Sequence, residues 1–328
     1  MTQFVRRFLV ALLLGVLVYG VFVVLSGYRA LATVLESYHW WAFAAALGLS
    51  SLNYVLRFLK WEYYLARLEV RNVPKLDSFL VFLSGFALTV TPGKVGEVFK
   101  SAVLQETHGV PMARTAPIVV AERLTDVIAI VVLIAAGSTG LSGGAPWAIA
   151  GAVCVAIGLT LILWRAPLDR ALAALDGKPG WRGRLAPKGR QAVDSLRVLA
   201  SPTTLILPTL LSIVGWGLEG FSLWLIIGGF DISVPLPLAV FFYATATLAG
   251  ALIPVPGGLG VSEAILQSQL VEIGGAPQPV ATGAMLMIRF STLWWAVVVG
   301  FSSLAILRTR FPELLRGQSG ELASRDVS

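Results

Sequence analysis

Apolar runs of about 20 residues recur along this chain, and two more are interrupted by proline and glycine. Six runs are continuous, at roughly 8–26, 40–59, 116–137, 147–164, 203–229 and 280–307. Each is long enough to cross a hydrocarbon core of about 30 Å as a helix. Two others, roughly 77–104 and 237–271, are broken by Pro92-Gly93-Lys94-Val95-Gly96-Glu97 and by Pro256-Gly257-Gly258-Leu259-Gly260-Val261-Ser262-Glu263. The first run follows Arg6-Arg7 like a signal peptide, but Val23-Val24-Leu25-Ser26-Gly27-Tyr28 lacks a small-residue cleavage site and predicts a retained helix. Residues 61–76, with Trp61, Tyr63, Tyr64, Arg67 and Arg71, suit a separate interfacial helix with aromatic anchors.

Composition agrees with a membrane protein: 56% of residues are hydrophobic, 13% are charged, and the mean hydropathy is +0.80. The polar connections then fix an orientation. Arg6 and Arg7 precede the first run, and Lys60, Arg67, Arg71 and Lys75 follow the second. Residues 165–201 carry eight Lys/Arg against three Asp, and Arg308, Arg310 and Arg316 follow the last run. Connections 138–146, 230–236 and 272–279 have no Lys or Arg, and 27–39 has only Arg29. The positive-inside rule places the basic set, and both termini, in the cytoplasm. The positive charge lies between spans, which argues against a nucleic-acid partner.

That orientation closes only if each broken segment enters and leaves on one side of the membrane. The expected fold is an all-α polytopic membrane protein of about six transmembrane helices plus two re-entrant broken-helix segments in an inverted repeat. Residues 1–310 would form one transmembrane domain, with halves 1–140 and 147–307. Residues 165–201 would be a basic cytoplasmic loop lying against anionic lipid, and 311–328 a cytoplasmic tail. Irregular backbone at membrane depth survives only where protein buries it or water lines it, so the breaks predict an enclosed polar cavity. The other reading makes each segment one kinked helix.

Ionisable groups inside apolar runs cost about 2.5–3.5 kcal/mol each on insertion scales, which makes them functional candidates. Arg57 lies near the end of the second run, with Asn53 one turn earlier; snorkelling to the inner surface is its alternative. Glu122, Arg123 and Asp126 open the third, with Glu122 and Asp126 on one helix face. Glu219 and Arg289 lie in the fifth and sixth. Arg123 follows Glu97 by 26 residues and Arg289 follows Glu263 by the same distance. Two readings stand side by side: Arg–Glu pairs that fasten each break to its neighbouring helix, or cations that grip an anionic headgroup. In the second reading Arg57, Lys94, Arg123 and Arg289 bind the anion, since guanidinium forks match phosphate. Gly93, Gly96, Gly257, Gly258 and Gly260 let it approach the backbone. Glu97, Glu122, Asp126, Glu219 and Glu263 orient the cations or carry a proton. Lys60 and Lys100 read as interfacial.

Other features carry less. Cys154 is the only cysteine and lies in an apolar run, so no intrachain disulfide or Cys-based metal cluster is expected. His39 and His108 have no metal-ligand spacing and read as surface or interface residues, and no cofactor is expected. Gly215-Trp216-Gly217-Leu218-Glu219-Gly220 fits a dinucleotide pattern literally but sits inside an apolar run, where glycines serve close helix packing.

Four segments carry a family resemblance: Leu56-Arg57-Phe58-Leu59-Lys60-Trp61, Thr91-Pro92-Gly93-Lys94-Val95-Gly96-Glu97, Ala121-Glu122-Arg123-Leu124-Thr125-Asp126 and Ile253-Pro254-Val255-Pro256-Gly257-Gly258-Leu259-Gly260-Val261-Ser262-Glu263. Together they resemble the transmembrane region of bacterial lysylphosphatidylglycerol synthases and the stand-alone proteins grouped as the flippase-like domain family. The resemblance implies movement of lipids between leaflets, and membrane lipids and envelope-lipid or glycan-synthesis enzymes as partners. The soluble aminoacyl-transferase domain of the full-length synthases is not in this sequence. The family often has Arg where Lys94 and Lys100 stand; lysine keeps the charge and loses the planar fork. The expected function is a lipid flippase-like transporter of an anionic lipid, phospholipid or polyprenyl-phosphate-linked, in the cytoplasmic membrane, and not an enzyme. The alternatives are an intramembrane enzyme acting on a lipid phosphate, and a scaffold for envelope-lipid enzymes.

Overall fold

A computed structural model describes residues 3–91, 96–138, 181–253 and 255–314, with isolated helical positions between 146 and 160. Among these residues every regular element is helical. The chain runs through α1 (Gln3–Ser26), α2 (Tyr28–Glu36), α3 (Trp40–Arg67), α4 (Lys75–Ser84), a 3-10 turn (Gly85–Leu88), α5 (Phe99–His108), α6 (Met112–Thr115) and α7 (Pro117–Gly137). After residue 180 come α8 (Trp181–Leu199), α9 (Pro202–Gly228), α10 (Leu236–Leu252), a tight turn (Pro256–Gly258), α11 (Val261–Glu272), α12 (Gln278–Arg289) and α13 (Trp295–Arg310). A π-helical turn, Phe290–Trp294, joins α12 to α13.

Three stretches, Trp40–Arg67, Pro202–Gly228 and Gln278–Arg310, are long and apolar enough to cross a membrane. Residues Gly15–Ser26 and Tyr28–Glu36 form a further pair bent by 89°. The bend falls at Gly27, whose φ of 79° suits a residue without a Cβ. Residues 27–39, expected as a plain connection, thus contain a second helix. The 61–76 segment also differs from expectation. No separate interfacial helix forms, because α3 runs on unbroken to Arg67 and buries Trp61 and Tyr64 completely. Apart from the isolated helical positions, the span expected at 147–164, with Cys154, lies outside the described residues, as do 165–180 of the basic loop and the tail after 314.

Both broken segments are hairpin-like pairs of short helices. The first pairs α4 with α5, and the second pairs α10 with α11. The leading limbs pack on distant helices: α4 and its 3-10 turn against α13, and α10 against α7. Glycine permits each crossing. A Cβ on Gly300 would stand 2.2 Å from the backbone nitrogen of Ala87, and one on Gly137 would stand 2.6 Å from the carbonyl oxygen of Pro237. Between these crossings α3 and α9 pack along each other at the centre. Here Gly215 and Gly220 do the close packing expected of that motif, against Asn53 of α3 and Val240 of α10.

The apolar core has two main parts. One joins α9, α10, α11 and α12, and the other joins α3, α4, α5 and α13. A third, small cluster of Tyr19, Val90, Leu259, Leu293 and Val297 lies where the two breaks meet. The lower ends of α4, α5 and α13 are tied by buried Asp77, which takes Arg310 at 2.9 Å and faces His108 at 3.6 Å. His39 pairs with Asp231 at 3.3 Å on the exposed surface.

Candidate functional site

The two breaks touch. A Cβ on Gly257 would meet Val90 at 3.1 Å, so the tip of the first segment rests on the turn of the second. Beside this contact lies a cavity of about 290 Å³. The first half lines it with Tyr54, Arg57, Thr89, Thr91, Arg123 and Asp126. The second half contributes Trp216, Glu219, Tyr243, Gly257, Gly258, Ser262, Arg289 and Thr292, among others. Three guanidinium groups therefore converge on one cavity whose walls are otherwise largely apolar.

Each guanidinium is held from behind by a buried carboxylate. Arg57 and Arg123 both reach Glu97 Oε2, at 3.3 Å and 3.0 Å. Arg123 also lies 3.2 Å from Asp126 Oδ2. Arg289 Nε donates to Glu263 Oε1 at 2.5 Å, and its Nη2 donates to the Gly257 carbonyl at 2.6 Å. The two Arg–Glu pairs at equal spacing thus both form. The carboxylates are almost wholly buried, whereas the arginines keep 13–25% of their side-chain surface open. Such backing fixes each fork while leaving other N–H donors for a ligand, the arrangement that bidentate recognition of a phosphate or carboxylate needs.

The turn at the second break is built from backbone geometry. Gly257, Gly258 and Gly260 have φ of 62°, 69° and 86°, values that side chains with a Cβ adopt only with strain. Gly260 N–H donates to Glu263 Oε2 at 2.7 Å, closing the start of α11. Gly257 and Gly258 border the cavity, while Gly260 serves this cap. At the first break Gly96 N–H donates to Thr91 Oγ1 at 2.7 Å. A Cβ there would fall 2.4 Å from that of Leu88, so Gly96 packs inside its own turn and not against the cavity. Gly93 and Lys94 lie outside the described residues.

Lys60 and Lys100 depart most from expectation. Read as interfacial, both are 2% exposed. Lys60 Nζ donates to Asp126 Oδ1 at 2.9 Å and to Ser212 Oγ at 2.6 Å. Lys100 Nζ donates to Glu122 Oε2 at 2.6 Å and stands over the rings of Trp61 and Phe82, at 4.7 Å and 5.2 Å. Arg57 likewise does not snorkel; it turns inward over Phe86 at 4.8 Å. The cause is the same in each case. A carboxylate on a facing helix offers an ion pair, and aromatic faces replace part of the lost hydration. Among the described residues around the cavity, five cations, Arg57, Lys60, Lys100, Arg123 and Arg289, face five buried carboxylates, Glu97, Glu122, Asp126, Glu219 and Glu263, while Asp77 pairs with Arg310 at the other end of α4.

Glu219 is the exception within that balance, held by neutral donors. Asn53 Nδ2 donates to its Oε1 at 2.6 Å and the Tyr243 hydroxyl donates to its Oε2. Sequence reasoning missed Tyr54, Trp216, Tyr243 and Thr292, because aromatic and hydroxyl residues inside apolar helices carry no signal of what they face. Thr292 owes its place to the π turn, which shifts the register after Arg289 and sends the Thr292 carbonyl to the Tyr54 hydroxyl at 3.1 Å. Among the described residues no cluster of His, Cys, Asp or Glu is arranged to hold a metal ion.

Fold and site together define a helical membrane protein whose two interrupted segments frame an arginine-lined cavity. Residues 12–300 match the lysylphosphatidylglycerol synthase TM region family, and the chain belongs to it. No curated protein matches the chain.

Proposed function

We propose that this protein moves an anionic lipid, a phospholipid or a polyprenyl-phosphate-linked one, between the leaflets of the cytoplasmic membrane. The observation that carries this reading is the cavity itself: three arginines from both halves, each backed by a buried carboxylate, converge beside broken backbone. Its volume lies near the bottom of the range of about 300–1,000 Å³ usual for ligand pockets, so it suits a headgroup. The acyl or prenyl chains would stay in the bilayer. Membership of a family named for a lipid synthase's membrane region supports a lipid as the cargo.

In this reading the chain is one transmembrane domain of six spans and two re-entrant segments, with inverted halves at 1–140 and 147–307 and both termini cytoplasmic. The reciprocal packing of α4 on α13 and α10 on α7 supports such a repeat. Rocking of the halves about the α3–α9 contact would expose the headgroup to each side in turn. The protein transports and does not alter its lipid.

The test is reconstitution of the purified chain into phosphatidylcholine vesicles carrying fluorescent phosphatidylglycerol or a labelled polyprenyl phosphate. Leaflet exchange and headgroup chemistry are followed together. Exchange of an unaltered lipid is the expected result. A changed headgroup would favour an enzyme, and neither outcome across a broad lipid panel would favour a scaffold.

A further inference from the structure

Of the two carboxylates that line the cavity, Asp126 and Glu219, and the three buried behind it, one differs from the rest. Glu97, Glu122, Asp126 and Glu263 each touch a Lys or Arg. Glu219, buried and bordering the cavity, is instead held by the amide of Asn53 and the hydroxyl of Tyr243. Asn53 fits there because Gly215 has no side chain: a Cβ would lie 2.3 Å from Asn53 Oδ1. Among the described residues, the charged and titratable groups that line the cavity with Glu219 are Tyr54 and Arg57 from α3, Arg123 and Asp126 from α7, Tyr243 from α10 and Arg289 from α12.

This arrangement has a consequence for the charge that a lipid phosphate would bring. Among the described residues around the cavity five cations face five carboxylates, so an entering anion adds a negative charge beyond that balance. Protonating one carboxylate offsets it. Glu219 is the group where protonation breaks no ion pair, whereas elsewhere it would strand a buried Lys or Arg. Its partners also tolerate both states. A tyrosine hydroxyl donates to the carboxylate and can accept from the carboxylic acid, while Asn53 keeps its bond to the other oxygen.

Resting on the lipid-transport reading above, we propose that Glu219 carries a proton across with the lipid. It takes up one proton as the anionic headgroup enters the cavity and releases it when the headgroup leaves on the other side, so the pair crosses without net charge.

The experiment uses the full chain in phosphatidylcholine vesicles holding fluorescent phosphatidylglycerol and a trapped pH indicator. The membrane potential is clamped, and protein-free vesicles give the background. With one proton per lipid, the steady-state leaflet ratio shifts about tenfold per unit of imposed pH difference. The trapped indicator reports proton entry in step with the lipid. In Glu219→Gln, whatever exchange remains ignores the pH difference. In infrared difference spectra of the wild type, lipid binding raises a carboxylic-acid band that the variant lacks. That readout needs no transport by the variant. Wild-type exchange without proton movement, a persistent pH response in Glu219→Gln, or the same infrared band in both proteins would overturn the proton role and leave lipid transport standing. Absence of any wild-type exchange would overturn the transport reading, and the proton role with it.

Discussion

The two breaks carry the same Glu–Arg pair at the same spacing, yet they are held differently. At the second, Arg289 bonds Glu263 and the Gly257 carbonyl, and Glu263 bonds the Gly260 N–H. Pair and backbone form one closed clip. At the first, Glu97 is shared by Arg57 and Arg123, and Arg123 extends to Asp126, which in turn holds Lys60. The charge is spread over α3, α7 and the turn that leads into α5. A clip fixes the shape of its own loop, whereas a shared network couples the loop to several helices. The second break is thus tied within its own turn, and the described part of the first is tied to neighbouring helices.

This contrast can be broken by mutation. Arg289→Ala has the largest expected effect: it strands buried Glu263 and frees the Gly257 carbonyl, at a cost of about 3–5 kcal/mol. Thermal unfolding in detergent should fall sharply, and vesicle exchange should vanish. Lys100→Met should cost nearly as much because it leaves Glu122 alone in the core, whereas Lys100→Met with Glu122→Leu should recover most of the loss. If the double variant remained as unstable as the single one, the pair would hold more than its own charges. Arg123→Ala should cost less, about 1.5–3 kcal/mol, since Arg57 still neutralises Glu97. Its exchange should nonetheless be abolished with membrane insertion intact. Equal melting losses for Arg123→Ala and Arg289→Ala would erase the distinction between clip and network. Gly257→Ala should have the smallest effect on stability, about 1–2 kcal/mol from its left-handed backbone and its approach to Val90. A melting series over the four single variants and the double one gives the order directly.

Part of this site could be read from the chain because it is local or repeated. Pro-Gly clusters inside apolar runs can only mean interrupted helices, and the observed limbs fall within a few residues of the expected segments. The equal Glu–Arg spacing offered both pairs as one of two readings, and both pairs form. What stayed hidden depends on which helix faces which. Lys60 stands where hydropathy ends a span, so it read as a surface group. Its partner Asp126 is 66 residues away, on a helix whose approach no periodicity reports. The same blindness made Trp61 and Tyr64 look like interfacial anchors, although α3 continues past them into the core. Glu219 was visible as a lone carboxylate, but its neutral partners belong to α3 and α10 and appear only in the folded protein.

The arginine-lined cavity between the two breaks should be reachable from water and should receive an anionic headgroup. Single cysteines placed at Thr91 and Ser262, in a Cys154→Ser background, test it from both halves. Both should react with a charged, membrane-impermeant thiol reagent, and phosphatidylglycerol should protect both while phosphatidylcholine should not. Two unreactive cysteines in a folded protein, or labelling indifferent to the anionic lipid, would contradict it.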